Sequence, residues 1–123
     1  MSVLFSSGQF QLHSGGSSRW KIDCDALTEE DIRTLAMIIA DRMQPWSAIE
    51  GVPQGGLRLA RALETLYPVG NGPPLIVDDV LTTGASMEAQ RAGRKDIKGV
   101  VIFARGSCPS WVSALFTLWP TVT

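Results

Sequence analysis

Residues 73–91 read PPLIVDDVLTTGASMEAQR, in which an aliphatic run ends on two adjacent carboxylates, Asp78 and Asp79, and passes into the turn Thr82, Thr83, Gly84, Ala85, Ser86. Ionised carboxylates only accept hydrogen bonds, so the pair suits neutral hydroxyls or a divalent cation. The turn offers the opposite chemistry. It lies between a predicted strand and a helix starting near Ala85, where unpaired amides and the helix dipole favour an anion. Gly84 allows close backbone approach, and Thr82, Thr83 and Ser86 add hydroxyl donors. A phosphate monoester fits this turn, and a phosphorylated sugar with vicinal hydroxyls fits the turn and the carboxylates together, with Mg²⁺ compensating the charge. The plain alternative is a solvated strand end followed by an ordinary N-cap turn. Each feature taken singly favours that alternative; their combination does not.

The elements that must position these groups follow from the hydrophobic pattern. GQFQLHSGGSSRWKID predicts two short strands, over 9–13 and 19–22, joined by a Gly/Ser turn as an antiparallel flap. In LTEEDIRTLAMIIADRM, Thr28 is the expected N-cap, Glu29, Glu30 and Asp31 occupy the first turn, and Ile32, Leu35, Ala36 and Ile39 share one helical face. SAIEGV predicts a short strand, and PQGGLRLARALETLY a helix with the stripe Leu57, Ala60, Leu63 and Leu66. KGVVIFARG is continuously apolar, as expected of a parallel strand covered on both faces. SWVSALFTLW is expected to close the chain as a short helix, or a helix and an edge strand. Strands alternating with helices predict an α/β fold: a doubly wound, mostly parallel sheet flanked by helices, with the small antiparallel flap at its N-terminal end. Ligands of such sheets sit outside the carboxyl ends of the strands, where EGVPQGG, DDVLTTGAS and FARGS meet.

Composition narrows the function classes. A chain of 123 residues, 45% hydrophobic, has the material for one domain with a real core. The reading is a single domain over 1–123, with a flap or hood over 1–25 and a binding core over 26–123. With 11 Lys and Arg against 12 Asp and Glu, net charge -1, no basic footprint for nucleic acid is present. The start MSVLFSSGQF carries neither a basic flank nor a long apolar run, so neither a signal peptide nor a membrane span is expected, and the cytoplasm is the expected compartment. Cys24 and Cys108 have no metal-ligand spacing and read as reduced side chains.

LIVDDVLTTGAS closely resembles the phosphoribosyl diphosphate (PRPP) motif of the type I phosphoribosyltransferases. The resemblance implies that Asp78 and Asp79 contact the ribose 2- and 3-hydroxyls, that residues 82–86 cradle the 5-phosphate, and that Mg²⁺ accompanies the substrate on Asp78 and Asp79, directly or through water. IEGVPQGGLRLARAL resembles the family's pyrophosphate loop, which implies diphosphate contacts from Gly51, Val52, Pro53, Gln54, Gly55 and Gly56. FQLHSGGSSRWKID is similar to the amino-terminal signature of the orotate branch, with Phe10, Leu12, Ser14, Gly15, Ser18 and Asp23 in step. By the same resemblance Arg105, after the strand in IFARG, stands where orotate enzymes carry an arginine for the base carboxylate, a task suited to a guanidinium. A strand-end salt bridge is the equally weighted alternative. His13 and Ser14 complete the implied base-binding set, and His13 stands where a lysine is usual.

One segment departs from the family pattern. Where a mobile, basic catalytic loop belongs, this chain has only LETLYPVGNGPP, whose turn residues 70–74 include no Lys or Arg. Arg19 and Lys21 on the flap are the candidate substitutes as catalytic cations. Two functions follow: an orotate-like phosphoribosyltransferase, making orotidine monophosphate and pyrophosphate from orotate and PRPP, or a module that binds PRPP or a nucleotide monophosphate without turnover. A receiver-like phosphoacceptor is set aside, since its acidic pair belongs on an earlier strand and the TTGAS turn would have no task. Trp111, Val112, Leu115, Phe116, Leu118 and Trp119 crowd the final stretch and predict a homodimer, with Trp111 or Trp119 partly buried between subunits. A membrane is the weaker partner for that cluster, which is short and has no basic rim.

Overall fold

In the computed structural model, which describes residues 3–11 and 16–118, the N-terminal flap is an antiparallel pair, β1 (Phe5–Gln11) and β2 (Ser17–Ile22). β1 begins earlier than the predicted residue 9. Its first half, Phe5-Ser-Ser-Gly, has no alternation to read, and what holds it is tertiary: the Phe5 ring meets Phe103 edge-on at 5.8 Å between centroids. His13, at the predicted end of that strand, lies outside the described residues.

A short 3₁₀ turn (Cys24–Ala26) leads to α1 (Glu29–Met43). Thr28 Oγ1 accepts from the Asp31 amide at 3.0 Å and Asp31 Oδ2 accepts from the Thr28 amide at 2.8 Å, a reciprocal capping box that stabilises the helix start by about 1 kcal/mol. The predicted face is the buried one: Ile32, Leu35, Ala36 and Ile39 all belong to the core. β3 (Ile49–Gly51), α2 (Leu57–Leu66), β4 (Leu75–Leu81), α3 (Ala85–Arg91) and β5 (Lys98–Ala104) then alternate as expected.

The chain ends differently from the expectation. SWVSALFTLW forms no helix among the described residues; Val112–Thr117 is a strand, β6, parallel to β5 from Gly99↔Val112 to Ala104↔Thr117. Residues 105–111 are too few for the helix that usually joins parallel neighbours, and the β-branched and aromatic residues Val112, Phe116 and Thr117 favour the pleat. The result is a four-stranded parallel sheet in the order β3-β4-β5-β6.

Both faces of that sheet are covered. Leu75 and Val77 of β4 and Val100 and Ile102 of β5 join α1 and α2 in one core, while Ile76 and Val101 face Met87 of α3 in the other. A fully buried aliphatic side chain of this kind contributes roughly 1.5–3 kcal/mol, which is why β5 is apolar from Gly99 to Ala104 and β4 is apolar apart from Asp78 and Asp79. The buried stripe of α2 is Leu59, Ala60 and Leu63, whereas the predicted Leu57 and Leu66 are each 42% exposed. Both sets have helical spacing; the choice is made by the sheet, because Gly51 of β3 admits Ala60 so closely that a Cβ there would lie 2.9 Å from the Ala60 methyl.

The connection over 67–74 lies at the edge of the sheet where β3 and β4 begin. Gly70 donates its amide to Trp46 O at 2.8 Å, Ser47 to Pro73 O at 3.4 Å and Leu75 to Ala48 O at 2.9 Å. Gly72, at φ 138°, is held so near Pro45 that a Cβ would sit 2.5 Å from the Pro45 carbonyl oxygen. No helix among the described residues is long and apolar enough to cross a membrane.

Candidate functional site

β4 runs on to Leu81 beyond its last pair with β3, Gly51↔Val77, and there carries its two aspartates beside a cleft of about 820 Å³. The cleft is bounded by the 52–55 segment of the loop before α2, by Asp78, Asp79, Thr82 and Ser86 at the end of β4, by Arg105 after β5, and by Phe10, Gln11 and Lys21 of the flap. The three segments expected at this edge therefore meet there. Thr83, Gly84 and Ala85 line an adjoining depression of about 30 Å³ shared with Asp78, Thr82 and Ser86.

The loop and the aspartates are in close contact. A Cβ on Gly55 would collide with both carboxylate oxygens of Asp79, so any larger residue there would have to displace that carboxylate from its bond to the Val80 amide. Gly56 is equally constrained from below, by Val77 O and the Val52 amide. Val52 accepts from the Gly56 amide at 2.8 Å and donates to Val77 O at 2.9 Å, closing the loop onto the end of β4. The amides of Gln54 and Gly55 find no acceptor among the described residues, and Pro53, Gln54 and Gly55 are exposed. Both residues line the cleft, Gly55 directly against Asp79. Gly51 and Gly56 do not line it and serve the packing of the loop instead.

Asp78 is 6% exposed, the only buried charged side chain among the described residues. Its Oδ1 accepts from the Asp79 amide at 2.8 Å, and Asp79 Oδ1 accepts from the Val80 amide at 2.7 Å. Burial first, then hydrogen bonding with the Asp79 carboxyl and the charge of Asp79, push the Asp78 carboxyl well above the ordinary aspartate range, with the Asp79 amide opposing the shift. In the phosphate-type turn, Gly84 adopts φ 88° as the residue preceding α3, and Thr83 Oγ1 accepts from the Ala85 amide at 3.3 Å. Gly106, after β5, packs directly under the Thr82 carbonyl.

Arg105 lines the cleft and is tied to the flap. Its Nη2 donates to Ser18 Oγ at 2.6 Å and to Trp20 O at 3.1 Å, and the guanidinium lies 3.6 Å from the centroid of the Trp20 ring. Such a stack adds roughly 0.5–2 kcal/mol. The salt-bridge alternative is replaced by neutral partners. Lys21 reaches the cleft with its ammonium 5.1 Å from the Phe10 ring. Arg19 is exposed on β2 and does not line the cleft. His13 and Ser14 lie outside the described residues, as does Trp119. Trp111 is engaged within the chain: its Nε1 donates to Glu88 Oε1 at 2.7 Å and the Arg91 guanidinium lies 4.7 Å from its ring.

Asp25, Cys24 and Arg58 also line the cleft, without having been singled out from sequence. The signal for Arg58 was its place in the first turn after the glycine loop; Cys24 and Asp25 give none, since the 3₁₀ turn brings them in. Burial, reinforced by Asp79, Asp23, Asp25 and Asp78, pushes the Cys24 thiol up to about 12, so it stays a thiol. Among the described residues no cluster of three or more His, Cys, Asp or Glu forms a metal cage. Asp78 and Asp79 fit the other mode, in which Mg²⁺ takes one or two carboxylates and completes its shell with substrate oxygens and water.

No protein-family model matches the sequence, and no curated protein matches it. Solved structures do. The chain is similar to UMP synthase from Leishmania donovani, with 24% identity and a TM-score of 0.75 over 94% of this chain and 34% of that one. It therefore spans about a third of that protein's length. It is similar to orotate phosphoribosyltransferase from Aeropyrum pernix, with 25% identity and a TM-score of 0.71 over 93% of this chain and 88% of that one. A third likeness is to orotate phosphoribosyltransferase from Francisella tularensis, at 17% identity and a TM-score of 0.64 over 93% and 80% of the two chains. The chain has the type I phosphoribosyltransferase fold.

The burial of Asp78 has a consequence for stability. A carboxyl whose folded pKa is raised keeps its proton longer in the folded chain than in the unfolded one, so stability falls as pH rises above the ordinary aspartate value of about 4. Asp78→Asn retains an acceptor for the Asp79 amide and removes the charge. The variant is expected to melt above wild type at pH 8, by about 4 °C per kcal/mol regained, and to lose the advantage near pH 4. Equal melting temperatures at pH 8 would show that Asp78 carries no burial cost.

Proposed function

We propose that this chain is a phosphoribosyltransferase of the orotate type, moving the 5-phosphoribosyl group between PRPP and a nitrogenous base. The observation that carries the reading is the meeting, in one cleft at the carboxyl edge of a parallel sheet, of the Asp78–Asp79 pair with a glycine loop offering two unused amides. The likeness in fold to phosphoribosyltransferases supports it. In this reading Asp78 and Asp79 take the ribose hydroxyls, residues 82–86 the 5-phosphate, and the loop over 51–56 the diphosphate. Asp78 and Asp79 are also the residues that would hold Mg²⁺, whose chemistry there is to neutralise the departing diphosphate.

The bond from C1 of the ribose to the diphosphate breaks with its electron pair going to pyrophosphate, and a lone pair on the base nitrogen forms the new C1–N bond. Positive charge develops at the ring in between. The chain's part is positioning and electrostatics: fixed carboxylates below the ribose and fixed amides around the leaving oxygens. Arg105, with His13 and Ser14, is assigned to the base, and Lys21, with Arg19, to cationic cover at the flap. The chain acts as a single unit, with residues 1–25 as hood and 26–123 as PRPP-binding core.

A second reading, a module that binds PRPP or a nucleotide monophosphate without turnover, is favoured by one observation. The connection over 67–74 is stitched to residues 45–48 at the opposite edge of the sheet and brings nothing to the cleft. Pyrophosphate release decides between the two. With Mg²⁺, PRPP and a panel of bases including orotate, the enzyme releases pyrophosphate, whereas binding of PRPP with no release for any base establishes the module. In either case Asp79→Asn is expected to weaken PRPP binding about tenfold or more, the effect of losing a charged hydrogen bond of roughly 1.5–3 kcal/mol. Unchanged affinity by calorimetry would remove the ribose role.

If orotate is the base, Arg105→Ala should impair its use more than it impairs PRPP binding, since the side chain is bonded to Ser18 and Trp20 of the flap and to no residue of the 51–56 loop or the 82–86 turn. Equal losses for both ligands would instead mark Arg105 as the anchor of the flap through Ser18 and Trp20.

The chain is further proposed to work as a homodimer, which would bring the flap cations Arg19 and Lys21 of one protomer toward the cleft of its partner. Phe5 at 53% and Phe116 at 46% exposure leave apolar surface for such an interface beside β6. Light scattering is expected to give twice the chain mass; a monodisperse monomer at high micromolar concentration would refute the dimer.

A further inference from the structure

Three cations line the cleft, Lys21, Arg58 and Arg105, and two of them belong to the flap or are spent on it. Arg105 gives its Nη2 to Ser18 and Trp20 and stacks on the Trp20 ring, and Lys21 lies over Phe10. Arg58 stands elsewhere. It is the second residue of α2, on the rigid helix that the glycine loop opens into, and it shares the cleft wall with Gln54, Gly55 and Asp79.

Its present partners are weak claims on a guanidinium. Nη2 donates to Leu27 O at 2.5 Å and lies 3.6 Å from Glu29 Oε1, whose side chain is 87% exposed, so that ion pair contributes little. Of five N–H donors one is well placed, and no acceptor among the described residues takes the others. The Arg58 side chain is 37% exposed, so most of it is covered while most of its hydrogen-bonding capacity is open. Beside it are the unused amides of Gln54 and Gly55, a set of donors in search of a multiply charged acceptor.

We propose that Arg58 binds the diphosphate of the substrate, supplying from the first turn of α2 the positive charge that residues 67–74 do not bring to the cleft. The inference rests on the phosphoribosyl reading above and deepens it. The planar fork of donors matches two oxygens of a diphosphate, and Leu27 O can keep its own bond while the remaining donors turn to the ligand. Charge grows on the leaving diphosphate as the C1–O bond breaks, so a guanidinium held there interacts more strongly with the departing group than with bound PRPP.

The test compares two ligands that differ only at this site. PRPP and ribose 5-phosphate are titrated calorimetrically, with Mg²⁺, into the full chain and into Arg58→Gln and Arg58→Lys. For Arg58→Gln, PRPP affinity is expected to fall about tenfold or more while ribose 5-phosphate affinity is unchanged, with Arg58→Lys in between. Unchanged PRPP affinity in Arg58→Gln would overturn the role of Arg58 and leave the phosphoribosyl reading intact. Equal loss of both ligands in both variants would assign Arg58 to holding Leu27 and α1, and would likewise overturn it. Wild-type protein that binds neither ligand would overturn the phosphoribosyl reading itself, and the role of Arg58 with it. Should Arg58→Gln fail to fold, the same comparison in Arg58→Lys, which keeps a donor for Leu27 O, decides the matter.

Discussion

Everything at the carboxyl edge of the sheet depends on the approach of the Gly55 backbone to the Asp79 carboxylate. A side chain at Gly55 would occupy the space of both carboxylate oxygens. Gly56 is locked under Val77 O and Gly51 against Ala60, so the loop has no freedom to retreat. Three glycines within six residues thus fix the distance between a strand end and a helix start. That spacing places Gln54 and Gly55 on the wall of the cleft, with amides that no acceptor among the described residues takes. The arrangement is costly, since Asp78 is buried beside a second carboxylate with no cation paired to it among the described residues.

Much of this was legible in the sequence because it rests on local rules. The Thr28 cap, the Ile32–Leu35–Ala36–Ile39 face and the start of α3 after Gly84 each need only their neighbours in the chain. The Asp78–Asp79 pair was legible as an anomaly, a charged end to a strand whose other residues are covered on both faces. What was not legible was set at a distance. The face of α2 follows from the Gly51–Ala60 contact, not from spacing, so Leu57 and Leu66 read as core and are not. β1 owes its first half to Phe103, a hundred residues away in order of magnitude, and β6 owes its existence to pairing with β5. Arg58 has one local sign, its place in the first turn after the glycine loop, but that it lines the cleft is set by the fold.

The connection over 67–74 shows how a short segment redistributes the work of a site. Its backbone is committed to Trp46, Ser47 and Pro45 where β3 and β4 begin, four residues of β4 before Asp79. Positive charge and shelter from water must then come from elements already at the cleft. Those are α2, the flap and the segment after β5, and each does carry a cation, Arg58, Lys21 and Arg105. The cleft lining also holds four aspartates, Asp23, Asp25, Asp78 and Asp79, of which the buried Asp78 is pushed toward its neutral form. Positive and negative side chains thus stand at different parts of one cleft, the cations on α2, the flap and the segment after β5, the carboxylates on β4 and the turn before α1.

The segment after β5 ties the remaining parts together. Arg105 donates its amide to Leu81 O at 2.7 Å, anchoring the segment to the end of β4, while its side chain holds Ser18 and Trp20 of the flap. Gly106 packs under the Thr82 carbonyl, and Pro109 lies against Gly84. Further on, Trp111 is fixed to Glu88 of α3, the helix that follows the turn. One stretch of a few residues thus touches the hood, the end of the carboxylate strand and both sides of the phosphate-type turn. The flap is only a two-stranded ribbon, too small to be stable alone, and its attachment to the core runs through Phe5 on Phe103 and the Arg105 contacts. Its position over the cleft is therefore set by the same segment that packs against the turn.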